Sequence, residues 1–176
     1  SWSFIVDLNK NEAEILASDL TQRYGQHCIS IECDVSEPAS VNSMVDEVVK
    51  QFGDIHVLHN NAASKSSNLE AFFAPFEEYT LDQWREVTKV NLDGMFLVAQ
   101  AVGRKMVEQS KGGSIIQTAS IYGLLAPDSR IYEGSSYMGR AINTPAVYSA
   151  SKAAVIGLTK YLATYWADKN IRVNCL

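Results

Sequence analysis

The chain has 176 residues, 47% of them hydrophobic, which supplies enough apolar surface for one well-formed core and argues for a single domain. With 15 Lys and Arg against 20 Asp and Glu, the formal charge of -5 offers no chain-wide attraction for a phosphate backbone or an anionic bilayer, so neither nucleic acid nor membrane is expected as a partner. The three cysteines, Cys28, Cys33 and Cys175, lack the close pairing of a zinc or redox motif, no segment approaches the roughly 20 apolar residues of a membrane span, and the first residues do not form a signal peptide; buried thiols in a reducing cytoplasm are the expectation.

Short apolar runs alternate with longer stretches of helical periodicity, the rhythm of an α/β sheet. The first strand is expected over Trp2–Asp7. Glu12–Tyr24 then carries Ile15, Leu16 and Leu20 on one helical face and stops at Gly25, a suitable C-terminal cap. A strand over Cys28–Asp34 leads to a helix over Val41–Phe52, with Val41, Met44, Val45, Val48 and Val49 inward and Gly53 behind it. After the strand Ile55–Asn60, a long helix opens at Thr80, with Gln83 as a capping-box partner, and runs to Met106 with a bend near Asn91–Gly94. The strand Ser114–Ser120 follows, then the polar and aromatic segment Pro127–Thr144. A last helix begins after Thr144-Pro145, proline being favoured at the first helical position, and reaches about Ala167. Ile171–Cys175 is the fifth strand. All five strands are rich enough in Ile and Val to be covered on both faces and to lie parallel.

The strongest chemical constellation is Tyr148-Ser-Ala-Ser-Lys152. Four residues along a helix stack two side chains on one face, about a turn apart. A free tyrosine titrates near pH 10, so acid/base work near neutrality requires the phenolate to gain roughly 3–4 kcal/mol, which a nearby ammonium and an oxidised nicotinamide would supply. A tyrosine and a lysine at this spacing are by themselves more often a solvated surface pair. Ser120 changes the weighing, because it closes a strand at the edge of a parallel sheet where such folds bind ligands, and its hydroxyl can hold a substrate oxygen.

Taken in order, Asp7, Cys33-Asp34-Val35, Asn60-Asn61-Ala62-Ala63, Asn91, Ser120, Tyr148 and Lys152 resemble the short-chain dehydrogenase/reductase family over nearly the whole chain. The resemblance implies a doubly wound, Rossmann-like parallel sheet with helices on both faces, and an oxidoreductase that moves a hydride between a nicotinamide dinucleotide and a hydroxyl or carbonyl carbon of a small alcohol, polyol or sugar-type substrate. It further implies that Tyr148 is the acid/base, Ser120 orients the substrate oxygen, Lys152 serves both Tyr148 and the nicotinamide ribose, and Asn91 steadies the bent helix and orders a relay water. Asp7 would accept the adenosine ribose hydroxyls and repel a 2′-phosphate, favouring NAD(H) over NADP(H), although Lys10 stands nearby. Asp34 would meet the adenine amino group with Val35 against the ring, and Asn61 and Ala62 would line the cofactor groove. Ala63 departs from the glycine usual at that place. No metal is implied, and His27, His56 and His59 read as structural or surface residues.

None of the ten glycines falls in a G-x-G pattern, and the chain enters inside a strand and stops after one, so the first strand and its glycine loop are expected upstream and the chain is expected to be incomplete at both ends. Residues 121–147, an unusually long span between Ser120 and Tyr148, are read as a substrate-contacting loop carrying Tyr132, Glu133, Tyr137 and Arg140, with a surface or oligomer contact as the rival. The helices at 81–106 and 145–167 are those that pair subunits in the family, implying a homo-oligomer, a dimer or tetramer. Two rival functions share the scaffold: a nucleotide-sugar epimerase or dehydratase, which the Asn91 helix and the Asn-Asn-Ala segment disfavour, and a non-catalytic dinucleotide-binding module, which the intact tyrosine and lysine disfavour.

Overall fold

Alternating sequence periods become alternating strands and helices in the computed structural model, which describes residues 2–137 and 139–176, the side chains of Arg140 and Ala141 excepted. The strands are β1 (Trp2–Asp7), β2 (His27–Glu32), β3 (Val57–Asn60), β4 (Gly113–Gln117), a short antiparallel pair β5 (Ser136–Tyr137) and β6 (Arg140–Ala141), and β7 (Ile171–Cys175). The helices are α1 (Lys10–Tyr24), α2 (Pro38–Phe52), the single turn α3 (Leu69–Phe72), α4 (Leu81–Thr88), α5 (Met95–Gln109) and α6 (Ala146–Tyr165). The five long strands are parallel, as expected, but form two ladders: β1 with β2, and β3–β4–β7 with β4 in the middle. One apolar cluster serves both. Val41, Val45 and Val48 of α2, Val98, Val102 and Met106 of α5, Ile115 of β4 and Ile171 and Val173 of β7 form it, and Phe4, Val6 and Ile31 of the other ladder pack against it.

Local signals set several ends. Gly25 takes the left-handed conformation (φ 64°) and its N–H caps α1 on Thr21 O at 3.0 Å. Thr80 accepts the N–H of Gln83 at 3.2 Å, but the Gln83 side chain turns to Glu86, so half of the expected capping box forms. Pro145 stands one place before α6 instead of at its first turn. The expected bend is a π-helical turn, Lys89–Gly94, that joins α4 to α5.

Two expectations are corrected. α1 buries Ala13 and Ala17, whereas Ile15 and Leu16 are 70% and 45% exposed. The small residues form the i, i+4 stripe that lets the helix lie close on β1 and β2, and the larger ones stand off that stripe. The strand expected to reach Ser120 stops at Gln117, because the carbonyl of Thr118 leaves the ladder to accept a side-chain hydrogen bond. Of the cysteines, Cys33 alone is fully buried and Cys28 and Cys175 are half-buried; all are free thiols.

Gly103 of α5 lies directly beneath the buried indole of Trp166, the residue that follows α6. A Cβ there would fall within 2.5 Å of Cζ2 and 2.8 Å of Cζ3. Gly103→Ala is expected to destabilise the fold by about 2 kcal/mol through overpacking. A urea unfolding midpoint equal to wild type would show that the indole can move aside.

Candidate active site

Parallel strands deliver their C-terminal ends to one edge, and the residues just beyond β1, β2 and β3 enclose a cleft of about 660 Å³. Asp7, Asp34, Val35 and Ala62, all singled out from the sequence, line it, together with Lys10 and Val90. Asp7 is exposed and accepts the N–H of Asn9 at 2.8 Å, leaving carboxylate capacity towards the cleft. Asp34 takes both the N–H (2.9 Å) and the hydroxyl (2.6 Å) of Ser36 on Oδ1. Those two bonds hold its carboxyl below the usual carboxylate range, with the Lys89 ammonium adding a little, so Asp34 presents an anionic acceptor. Asn61 stands exposed beside this cleft, just past the end of β3.

The cleft floor depends on two close fits. Gly94, in the π turn, would place a Cβ 2.9 Å from Val35 Cγ2 and 3.4 Å from its carbonyl oxygen, so only glycine lets the turn approach the strand end. Asn91 is 1% exposed, and its amide grips the backbone of Ser64 from both sides: Oδ1 accepts Ser64 N–H at 2.7 Å and Nδ2 donates to Ser64 O at 3.0 Å. Each side-chain polar atom of Asn91 thus has one partner on Ser64. Buried Asn60 works in parallel, with Nδ2 donating to Met95 O and to Gln117 Oε1, both at 2.8 Å.

The second half of the site is built on α6. Val147, fully buried with Phe72 and Val87, fixes its first turn; Val155, buried with Met95 and Ala119, fixes the next stretch. Tyr148 and Lys152 lie between these anchors, with Lys152 Nζ 5.9 Å from the centre of the Tyr148 ring. Lys152 is 4% exposed and donates to Thr118 O at 2.7 Å. Burial holds its ammonium below the usual lysine range. Ser120 stands two residues beyond that carbonyl, at the start of the 3₁₀ turn Ile121–Gly123, and its Oγ accepts the N–H of Tyr122 at 3.2 Å, which leaves its O–H free to donate.

Gly123 was not singled out from the sequence, yet it makes the approach possible: a Cβ there would lie 2.7 Å from the carbonyl carbon and 2.8 Å from the carbonyl oxygen of Lys152. The Thr118 carbonyl was missed as well, since a main-chain acceptor leaves no mark in side-chain identity. Described residues of the loop between Ser120 and Tyr148 make further contacts. Tyr132 OH lies 3.1 Å from Tyr122 OH and 3.3 Å from Thr144 Oγ1, Asn143 Nδ2 donates to Ala74 O at 3.0 Å, and Tyr137 meets Phe73 edge-on at 5.5 Å. The side chain of Arg140, expected in this loop's contacts, lies outside the described residues. Glu133 is exposed, and among the described residues no cluster of His, Cys, Asp and Glu is arranged to hold a metal.

The cleft beyond β1, β2 and β3 offers anionic acceptors, while α6 and the turn after β4 offer a tyrosine, a buried ammonium and a free serine O–H. The family model described as short chain dehydrogenase matches residues 2–176. A D-threitol dehydrogenase of Mycolicibacterium smegmatis is 37% identical over 97% of this chain and 57% of its own length, and a 3beta-hydroxysteroid dehydrogenase 2 of Eggerthella lenta is 35% identical over 97% and 57%. Among solved structures, an NAD+-bound xylitol dehydrogenase superposes with a TM-score of 0.83 (33% identity, 99% of this chain, 58% of that one), and a gluconate 5-dehydrogenase from Burkholderia cenocepacia in complex with NADP and tartrate with 0.79 (34%, 98%, 58%). The chain spans a little over half the length of these proteins.

Asn91→Ala would strip two hydrogen bonds from Ser64 and leave its backbone groups under-satisfied beside the cleft. A loss of about 2 kcal/mol is expected. Thermal or urea unfolding checks it, and an unchanged midpoint would mean that water replaces the amide.

Proposed function

The chain belongs to the short chain dehydrogenase family, and on that premise we propose that it carries the catalytic machinery of an oxidoreductase that interconverts a secondary hydroxyl and a carbonyl on a polyol or sugar-type substrate. One observation carries the reading above all: a lysine taken out of water, one turn below Tyr148 on α6, its Nζ fixed on the carbonyl two residues before Ser120. A surface pair would have no reason to pay the desolvation cost.

The nicotinamide dinucleotide supplies the hydride donor or acceptor when bound. Asp7, Asp34, Val35, Asn61 and Ala62 would hold its adenosine half, and the free carboxylate capacity and apolar lining of the 660 Å³ cleft fit that role. Tyr148 gives its phenolic proton to the substrate oxygen as the carbonyl is reduced, and takes it back as the alcohol is oxidised. Ser120, its own oxygen occupied by the Tyr122 N–H, donates its O–H to the same substrate oxygen and aims it. Lys152 has three N–H donors; one is spent on Thr118 O, and two are left for the Tyr148 oxygen and for the hydroxyls of the dinucleotide's ribose.

NAD(H) is the proposed dinucleotide, because the exposed Asp7 carboxylate would repel a 2′-phosphate; Lys10 in the same lining is the opposing influence. We read the chain as one catalytic domain that works in a dimer or tetramer through the helices at 81–106 and 145–167, whose outer faces carry Phe96, Tyr161 and Tyr165, 45%, 63% and 62% exposed. No helix of the described residues is long and apolar enough to cross a membrane.

In the complete protein, Tyr148→Phe is expected to lower turnover at least about a hundredfold while the dissociation constant for the dinucleotide stays within about threefold; Lys152→Ala should damage both. Turnover above about a tenth of wild type in Tyr148→Phe would overturn the assignment. For the cofactor, kcat/KM is expected to favour NAD(H) at least about tenfold, about 1.4 kcal/mol, and Asp7→Ala to narrow that gap. Equal efficiencies in the wild type would contradict the role given to Asp7.

A further inference from the structure

We propose that Glu86 is a positioning residue for the dinucleotide: its carboxylate pins the turn at Ser66 and Ser67 and thereby holds residues 62–64 in place as one wall of the 660 Å³ cleft. The proposal rests on the dehydrogenase reading above and concerns how the cofactor half of that site keeps its shape.

The segment after β3 needs a hold from outside itself. Residues 61–68 belong to no strand or helix, yet Ala62, Ala63 and Ser64 line the cleft. Upstream the segment is fixed at Asn60, whose side chain donates to Met95 O and Gln117 Oε1, and at Ser64, which Asn91 clasps. Downstream it is fixed at Phe72 of α3, buried beside Val87 and Val147. Between these points the chain turns at Ser66, which carries a side chain in the left-handed conformation (φ 83°). Such a conformation persists only where the surroundings enforce it.

Glu86 supplies the enforcement. Its Oε1 accepts the Ser67 N–H at 3.0 Å and the Ser67 hydroxyl at 3.1 Å, and its Oε2 accepts the Ser66 hydroxyl at 2.9 Å. Gln83, buried one turn earlier on α4, donates Nε2 to Oε2 at 3.4 Å and steadies the carboxylate. These donors, the Ser67 N–H first and the Ser66 hydroxyl next, hold the Glu86 carboxyl below the usual carboxylate range, so both oxygens stand as acceptors. α4 is itself anchored, because Val87, next to Glu86, is fully buried in the cluster with Phe72 and Val147.

The hold reaches the cleft through the turn. While its hydroxyl donates to Glu86, Ser66 accepts the Asn68 N–H on Oγ at 3.1 Å, and its own N–H donates to Ser64 Oγ at 3.1 Å. Glu86, Ser66 and Ser64 thus form an unbroken line of hydrogen bonds from the exposed face of α4 to the cleft wall. Without the carboxylate, Ser66 relaxes towards the backbone conformations that serine prefers, its N–H leaves Ser64, and the wall keeps Asn91 alone as its fastening. Glu86 lies outside the cleft lining, so it shapes the cofactor site without touching the cofactor.

Fluorescence titration of the complete protein with NADH tests the assignment. Glu86→Ala is expected to raise the dissociation constant about tenfold, Ser66→Ala about fivefold, and the double variant about tenfold as well, because the two side chains act through one contact. Glu86→Gln keeps a carbonyl oxygen for the Ser67 N–H but sets an amide NH2 where the Ser66 hydroxyl donates; it is expected to raise the constant about threefold, and it carries the test if Glu86→Ala does not fold. A carboxylate that merely fastens the surface would lower the thermal unfolding midpoint and leave the dissociation constant of the folded variants within about twofold of wild type, and that result overturns the assignment. So does a double variant whose effect is the product of the two single ones. If the wild type binds neither NADH nor NADPH, the dehydrogenase reading itself fails and this assignment with it.

Discussion

An ammonium group moved out of water must find dipoles to replace its hydration, or it surrenders its proton. Lys152, 4% exposed, meets this demand with the carbonyl of Thr118, and much of the surrounding architecture follows from that bond. Thr118 keeps its N–H on Asn60 O while its carbonyl goes to Lys152, just past the end of β4 at Gln117, and the chain turns at Ser120. The turn must then lie flat on α6, which only a residue without a side chain permits, and Gly123 is that residue. α6 must hold its depth, and Val147 and Val155 do so from either side of Tyr148 and Lys152. One buried charge thereby fixes the relative positions of a strand end, a turn and a helix, which are the three pieces that bring Ser120, Tyr148 and Lys152 to one place.

The opposite wall of the site is set by amides instead of charge. Asn60 links β3 to α5 and β4, and Asn91 clasps Ser64, so the segment after β3 is bound to the π turn through buried side-chain amides. Satisfied buried polar groups confer order at little net cost, since their alternatives are unpaired groups away from water. The cleft beyond β1, β2 and β3 therefore comes preformed, with the acidic residues at the ends of β1 and β2 on its rim.

Much of this was legible in the sequence, for identifiable reasons. Periodicity located β1 and β7 to the residue and placed the ends of α1 and α2, because glycine follows each helix where the chain must leave it. Spacing put Tyr148 and Lys152 on one face of α6. Asp7, Asp34, Val35 and Ala62 were named as a group, and they share one cleft. What escaped was whatever depends on the main chain or on distant packing: the Thr118 carbonyl, the clearance at Gly123, and the early end of β4. The Ala13–Ala17 stripe was overlooked for a related reason, as hydrophobicity alone ranks Ile15 and Leu16 above the alanines, although close helix–sheet contact rewards small size. The hydroxyl chain through Tyr122 joins residues ten and twelve apart across a loop without regular period, and no pattern in the sequence announces it.

The π turn at Lys89–Gly94 also acts as a phase shifter. It accommodates one residue more than an α ladder would, so the helix beyond it is rotated by about 100° relative to an uninterrupted one. That rotation lets α4 direct Val87 into the small cluster with Phe72 and Val147 while α5 directs Val98, Val102 and Met106 into the main core. Replacing an exposed side chain in this turn, such as Asp93, leaves the angular offset intact. Deleting one residue would abolish it, turning α5's apolar stripe away from the core and carrying Asn91 off Ser64 in the same motion. The number of residues between Thr88 and Met95 is therefore under tighter physical constraint than their identity, Asn91 and Gly94 excepted.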